Sequence, residues 1–170
     1  MQYSITGHTQ GIGKCLFDRL SPNAVGFSKS TGYDVTKRDD IFRILDESEQ
    51  CDVFVNNAYE DFSQSNMLLE AFYRWKDTNK IIINVGSQIA EDKINLKHHK
   101  EVGLMTYQMH KASLKKLHED IVKYECKMQS KYVWFGYVAT ENILKKYPNM
   151  PQRMLISTDK AVDKILGVLE

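Results

Sequence analysis

The chain is poor in the features that mark secreted, membrane-embedded or nucleic-acid-binding proteins. Its 170 residues include three cysteines, Cys15, Cys51 and Cys126. An odd number with no CxxC pair argues against a disulfide framework, and each falls in an apolar-patterned segment, as buried free thiols in a reducing compartment do. Charge of neither sign is in excess: 23 Lys and Arg stand against 22 Asp and Glu. No basic block or aromatic-interleaved basic run points to nucleic acid. No apolar run approaches the roughly 18 residues of a membrane span, and no basic-then-apolar leader precedes the first strand pattern. These absences predict a cytoplasmic protein with no membrane and no nucleic-acid partner. Without linker, low-complexity segment or internal repeat, and with length enough for one full core but too little for two, a single domain over residues 1–170 is expected.

What is present is an alternation of strand and helix patterns around one glycine-rich turn. Thr6-Gly7-His8-Thr9-Gln10-Gly11-Ile12-Gly13 follows a strand over about 2–6 and opens a helix over about 11–20. Gly7, Gly11 and Gly13 stand where a chain turning sharply from strand to helix needs positive φ or a missing Cβ, so that backbone N–H groups and the helix dipole can face a pyrophosphate. Ala24–Phe27 reads as a second strand, Asp34-Val35 as the stub of a third, and residues 39–48 as a helix. Residues 52–58 form a strand, 66–76 a helix, and Lys80-Ile81-Ile82-Ile83-Asn84-Val85 a β-branched strand buried on both faces. A long helix over about 104–128 follows, with Met105, Met109, Leu114, Leu117, Ile121 and Tyr124 as its apolar face. Residues 131–138 are a sixth strand, 140–156 are irregular, and a last helix runs to about 169. The fold class expected is α/β: a doubly wound Rossmann fold, parallel sheet of about six strands in the order 3-2-1-4-5-6, helices on both faces. Such sheets bind ligand at the carboxyl ends of their strands, where Gly7, Ser28, Asn56, Ser87 and Gly136 fall.

In chain order these residues resemble the short-chain dehydrogenase/reductase family, with its TGxxxGxG, NNAG, strand-end serine, YxxxK and PGxxxT features. Here they read Thr6-Gly7…Gly11-Ile12-Gly13, Asn56-Asn57-Ala58-Tyr59, Ser87, Tyr107…Lys111 and Phe135-Gly136…Thr140. The resemblance covers about residues 2–169 of a chain shorter than the family's usual one. It departs where Tyr59 replaces a glycine and Phe135 a proline, which predicts aromatic bulk on the nicotinamide side. The resemblance implies a nicotinamide cofactor and hydride exchange with a small-molecule carbonyl or alcohol. It implies Tyr107 as acid/base, Lys111 as the cation that stabilises its anion and holds the nicotinamide ribose, and Ser87 as a hydrogen-bond donor to the substrate oxygen. The family's catalytic asparagine is best matched by Asn66, for which a helix N-cap role is the alternative. A second YxxxK, Tyr33 to Lys37, has no strand-end serine before it and is read as a decoy.

About 20 residues after the first glycine, where an acid would grip the ribose of NAD, the chain has Ser28-Lys29-Ser30. A cation flanked by hydroxyls suits the 2′-phosphate, so NADP(H) is favoured over NAD(H), with His8 and Thr9 as helpers. The resemblance further implies adenine contacts from Asp34 and Val35, a cofactor-lining Asn56, Asn57 and Ala58, and carboxamide contacts from Gly136, Val138 and Thr140. Adjacent His98 and His99 in a lysine-rich loop lack metal-ligand spacing, and no metal is expected. The loop over 88–106 is read as the rim of the substrate pocket, and the Tyr107 helix as a homodimer interface. The alternatives to an NADP-dependent oxidoreductase are a non-catalytic redox-sensing module and an isomerase or epimerase that retains its cofactor.

Overall fold

Short β-branched runs separated by amphipathic helices leave one economical arrangement, a parallel sheet with helices on both faces. The computed structural model describes residues 1–91 and 102–170. Strands β1 (Tyr3–Thr6), β2 (Ala24–Phe27), β3 (Val53–Asn56), β4 (Ile81–Ser87) and β5 (Gln129–Phe135) form one sheet, order β2-β1-β3-β4-β5, with every pairing parallel. Alternation along the strands divides the core in two. Phe54 and Ile82 face α2 (Arg38–Glu47), α3 (Ser63–Trp75) and α4 (Val102–Val122), where Leu45, Leu68, Trp75 and Leu114 are buried. Val53, Val55, Ile83 and Val85 face α1 (Gly11–Leu20) and α6 (Thr158–Leu166), meeting Leu16, Val162 and Ile165. The α6 start is capped by Ser157, whose Oγ accepts from the Lys160 N–H at 3.2 Å.

The sheet has five strands where about six were expected, and the missing one is the Asp34-Val35 stub. Asp34 Oδ1 accepts from the Thr36 N–H and hydroxyl at 3.1 and 2.7 Å, and its carbonyl accepts from the Lys37 N–H. A side chain that closes a local turn competes with strand pairing, and two residues of strand pattern are too few to win. The remaining order keeps the expected one. The run over 131–138 breaks at Gly136 into β5 and a two-residue strand, β6 (Tyr137–Val138), which pairs in parallel with β7 (Leu155–Ile156). The segment expected to be irregular also contains helix α5 (Glu141–Lys146), begun by Thr140, whose Oγ1 accepts from the Ile143 N–H.

The buried face of α4 also differs. Met105 and Met109 are more than half exposed, as is Tyr124, which lies beyond the helix end at Val122, while His110, Lys111, Leu114 and Ile121 face inward. Nine residues separate Met105 from Leu114, which at about 100° each puts them on opposite sides of the helix. Two polar residues on the inner stripe hid it from an apolar count. No helix among the described residues is long and apolar enough to cross a membrane.

Candidate functional site

β1 leads into α1 on one side of its strand and β3 lies on the other, so the crevice between their carboxyl ends stays open. The turn that fills it is shaped by glycine. Gly7 and Gly11 have φ of +75° and +56°, and a side chain at Gly13 would run into the Gly7 carbonyl oxygen. Thr6 Oγ1 accepts from the N–H groups of Asn57 and Ala58 at 2.9 Å each, and Asn57 Nδ2 donates to the Thr6 carbonyl at 2.9 Å, which sews the two strand ends together. The result is a groove of about 890 Å³. Gly7, Thr9, Gly11 and Ile12 form one wall, Ser28, Lys29, Ser30, Asp34 and Val35 the far end, and Asn57, Ala58, Tyr59 and Thr140 the other wall.

Most of the residues expected at a cofactor meet in this groove, but six do not line it: Gly13, packed under the Gly7 carbonyl, Lys111, buried against Gln64 and Val85, and His8, Asn56, Val138 and Gly136. His8 turns inward, its ring 4.9 Å from that of Phe17 and lying where a side chain on Gly26 would be. Asn56 is buried and donates through Nδ2 to Gln64 O and Asn84 Oδ1 at 2.8 and 3.1 Å, an internal tie between strands. Val138 belongs to the α6-side core. Gly136 lines a second pocket instead. The Ser28-Lys29-Ser30 turn is a hydroxyl chain, with Ser28 Oγ 2.9 Å from Ser30 Oγ and Ser30 Oγ donating to Thr9 Oγ1 at 3.3 Å. Lys29 Nζ lies 3.3 Å from Asp34 and 3.6 Å from Glu60, carboxylates whose proximity the sequence spacing does not reveal.

The second pocket, about 380 Å³, opens at the end of β4, where Ser87 and Tyr107 converge. Burial pushes the Tyr107 phenol above its ordinary pKa, while a hydrogen bond with the Ser87 side chain pulls the other way. Lys111 lies one turn further along α4 and is buried; Nζ donates to Gln64 Oε1 at 2.5 Å and Val85 O at 3.1 Å. With only neutral acceptors, burial lowers its pKa to about 7. Gln64 is in turn fixed by Nε2, which donates to Asn56 O and Val85 O at 2.8 and 3.1 Å.

The amide that meets Lys111 is therefore that of Gln64 and not that of Asn66. Asn66 is exposed on the outer side of α3. It is also no N-cap, because α3 begins at Ser63 and the Asn66 N–H already bonds to Phe62 O. The signal that could have found Gln64 is the polar run Ser63-Gln64-Ser65, buried throughout: three polar residues on the inner side of a first turn need partners there.

Tyr59 lines the groove and packs against Tyr107 of the second pocket. Its ring lies edge-on to Tyr107 with centroids 4.9 Å apart, the Lys111 ammonium sits 4.9 Å from its centroid, and its hydroxyl is 2.9 Å from His110 Nδ1. Burial pushes its phenol up to about 12. Aromatic bulk is thus present beside Lys111 on the Tyr59 side, but Phe135 points into the α6-side core and contributes none. Tyr33 of the second YxxxK donates to both Glu47 carboxylate oxygens at 2.8 Å, against α2. His98, His99 and most of the 88–106 loop lie outside the described residues, among which no group of three or more His, Cys, Asp or Glu could hold a metal.

No family model matches the chain, and no curated protein sequence does. Solved structures do match it. A short chain dehydrogenase from Burkholderia cenocepacia J2315 in complex with NADP superposes with a TM-score of 0.73 at 17% identity, over 99% of this chain and 86% of that one. The 3-alpha-hydroxysteroid dehydrogenase from Pseudomonas sp. B-0831, complexed with NADH, gives 0.71 at 16% identity, over 100% and 90%. A short-chain dehydrogenase/reductase of unknown function from Caenorhabditis elegans, with cofactor, gives 0.72 at 17%, over 97% and 86%. The chain has the fold of the short-chain dehydrogenases/reductases along nearly its whole length.

Proposed function

We propose that the protein is an NADP(H)-dependent oxidoreductase acting on a small-molecule carbonyl or alcohol, with Tyr107 as its acid/base. The observation that carries this reading is the convergence of Ser87 and Tyr107 on one pocket, with Lys111 a turn away, beside a groove whose glycines leave room for a pyrophosphate. Two of the solved structures that share the fold hold NADP and NADH. In this reading the positive φ of Gly7 and Gly11 and the missing side chain of Gly13 bring the N–H groups of the first turn of α1 to the pyrophosphate, Asp34 and Val35 border the adenine end, and Lys29 with Ser28, Ser30 and Thr9 takes the 2′-phosphate. When bound, the nicotinamide supplies or accepts hydride. Ser87 Oγ donates a hydrogen bond to the substrate oxygen and stabilises the charge that develops there. Tyr107 holds the proton on its phenol oxygen and passes it to that oxygen in reduction. The Lys111 cation lowers the cost of the phenolate left behind, opposing the effect of burial.

The test is loss of NADPH absorbance with a panel of aldehydes and ketones. Turnover is expected and is lost in Tyr107→Phe; a variant as active as the parent refutes the role of Tyr107.

A second reading, a redox-sensing module that binds NADP without turnover, draws on one observation. Tyr59 covers Lys111 on the side of the nucleotide groove. It requires tight NADP(H) binding with no oxidation of any substrate. Self-association through α4, supported by the exposed Met105 and Met109 on its outer face, is measurable by sedimentation of the parent against a Met105→Lys/Met109→Lys variant.

A further inference from the structure

The pocket that holds Ser87 and Tyr107 is bounded on its far side by α5 and the residue after it. Ile143, Lys146 and Tyr147 are spaced i, i+3, i+4, so one face of this short helix presents all three to the pocket. The other face carries the Glu141–Lys145 ion pair at 2.7 Å, which neutralises Lys145 away from the pocket. Lys146 has no such partner among the described residues: no carboxylate lines the pocket, and its ammonium instead sits 5.3 Å from the Tyr147 ring centroid. Tyr147 packs edge-to-face on Tyr137 at 5.7 Å, and Ile89 and Leu104 complete the apolar lining. The pocket thus has a proton donor at one end, an apolar and aromatic middle, and at its rim a cation with no carboxylate partner among the described residues.

We propose that this pocket selects carbonyl substrates that carry a carboxylate, with a planar apolar body between the reacting carbonyl and the acid, and that Lys146 is the residue that selects them. A cation without a protein partner at the mouth of an apolar pocket favours an anionic ligand group, and the aromatic walls suit a flat body between the two polar ends. The inference rests on the oxidoreductase reading for what happens to the carbonyl. Reduction adds a hydride from NADPH to the carbonyl carbon and a proton from Tyr107 to its oxygen, giving an alcohol and NADP⁺; the carboxylate is unchanged and only positions the molecule.

The experiment uses a matched pair, 4-formylbenzoate and 4-formylbenzamide, which differ in charge and hardly in shape. At saturating NADPH, kcat/KM is expected to favour the carboxylate by about two- to fivefold, as for an exposed ion pair. The ratio falls to about one in Lys146→Met and inverts in Lys146→Glu. Lys145→Met, whose charge faces away, keeps the parent ratio. Equal use of the two aldehydes by the parent, or a preference that survives Lys146→Met, overturns the proposal. Calorimetric titration of the same pair in the absence of NADPH keeps the two readings apart. Binding that favours the carboxylate and depends on Lys146, with no turnover of either aldehyde, refutes the oxidoreductase and supports the charge selection. Binding of neither compound, or of both equally, overturns the selection.

Discussion

Lys111→Met isolates the cost of a buried charge. The ammonium is 4% exposed, donates to two neutral oxygens and has no carboxylate partner among the described residues, so burial lowers its pKa from 10.5 to about 7. In the unfolded chain it stays protonated to about pH 10, whereas the folded protein sheds the proton above about pH 7. Across that window the unfolded state binds more protons, so stability rises with pH. Below about pH 7 both states are charged and the full cost applies, about 5 kcal/mol at about 1.4 kcal/mol per pH unit. Methionine removes that cost. It leaves Val85 O bonded to Gln64 Nε2 but Gln64 Oε1 without a donor, a loss of about 1–3 kcal/mol. The variant is therefore expected to be the more stable protein near neutrality, and inactive. Its advantage shrinks by about 2 kcal/mol between about pH 7 and about pH 9, because only the parent gains stability there. Urea denaturation of both proteins at the two pH values reads this difference directly, and groups common to both cancel. Parallel stabilities at the two pH values, within about 0.5 kcal/mol, refute a Lys111 that is neutralised by burial.

Two further perturbations address the groove. Tyr59→Gly removes the ring that lines the nucleotide groove and packs over Lys111. It should tighten NADPH binding in a fluorescence titration and lower stability by about 2–5 kcal/mol, the loss of the Tyr107 and His110 ring contacts, the Lys111 cation–π contact and the His110 hydrogen bond together with the entropy of a glycine; unchanged or weaker affinity sinks the view that Tyr59 is a barrier. Gly13→Ala sets a methyl against the Gly7 carbonyl and the Asn57 amide. A loss of about 1–3 kcal/mol and a reduced thermal shift on adding NADPH are expected; a melting curve and ligand shift equal to the parent's exclude the close approach of the glycine turn.

The parts of the fold that were legible are those where one residue pattern admits one solution. The β4 run Ile81-Ile82-Ile83 has no polar position to turn toward water, so it lies between two helical layers, and that alone makes the sheet parallel and doubly covered. The strand order followed from the glycine turn after β1, because a ligand crevice and a reversal of strand order occur at the same place. Where two physical demands competed, pattern reading failed. Asp34 satisfied a turn before it could join a strand, and α4 chose the stripe that buries His110 and Lys111 over the one that would have buried Met105 and Met109.

The site divides along the same line. Tyr107 and Lys111 share a face because four residues of helix put them there, whatever surrounds them. Partners are another matter, since they come from other elements. Lys29 looks like a free phosphate ligand until the fold brings Asp34 and Glu60 to it. A 2′-phosphate placed beside Lys29 would meet those two carboxylates as well, so the turn supports the proposed NADP binding less than Ser28-Lys29-Ser30 does when read alone. Gln64 makes the opposite point. A buried lysine needs acceptors more than it needs a particular residue type, and an amide whose Nε2 is held by Asn56 O and Val85 O meets that need through Oε1 from position 64, two residues before the asparagine that family likeness favours. Because Gln64 and Val85 hold the Lys111 ammonium and Tyr59 packs over it while lining the groove, the proposed contact of Lys111 with a ribose requires Tyr59 to move. The contact between the Tyr59 hydroxyl and His110 Nδ1 opposes that movement.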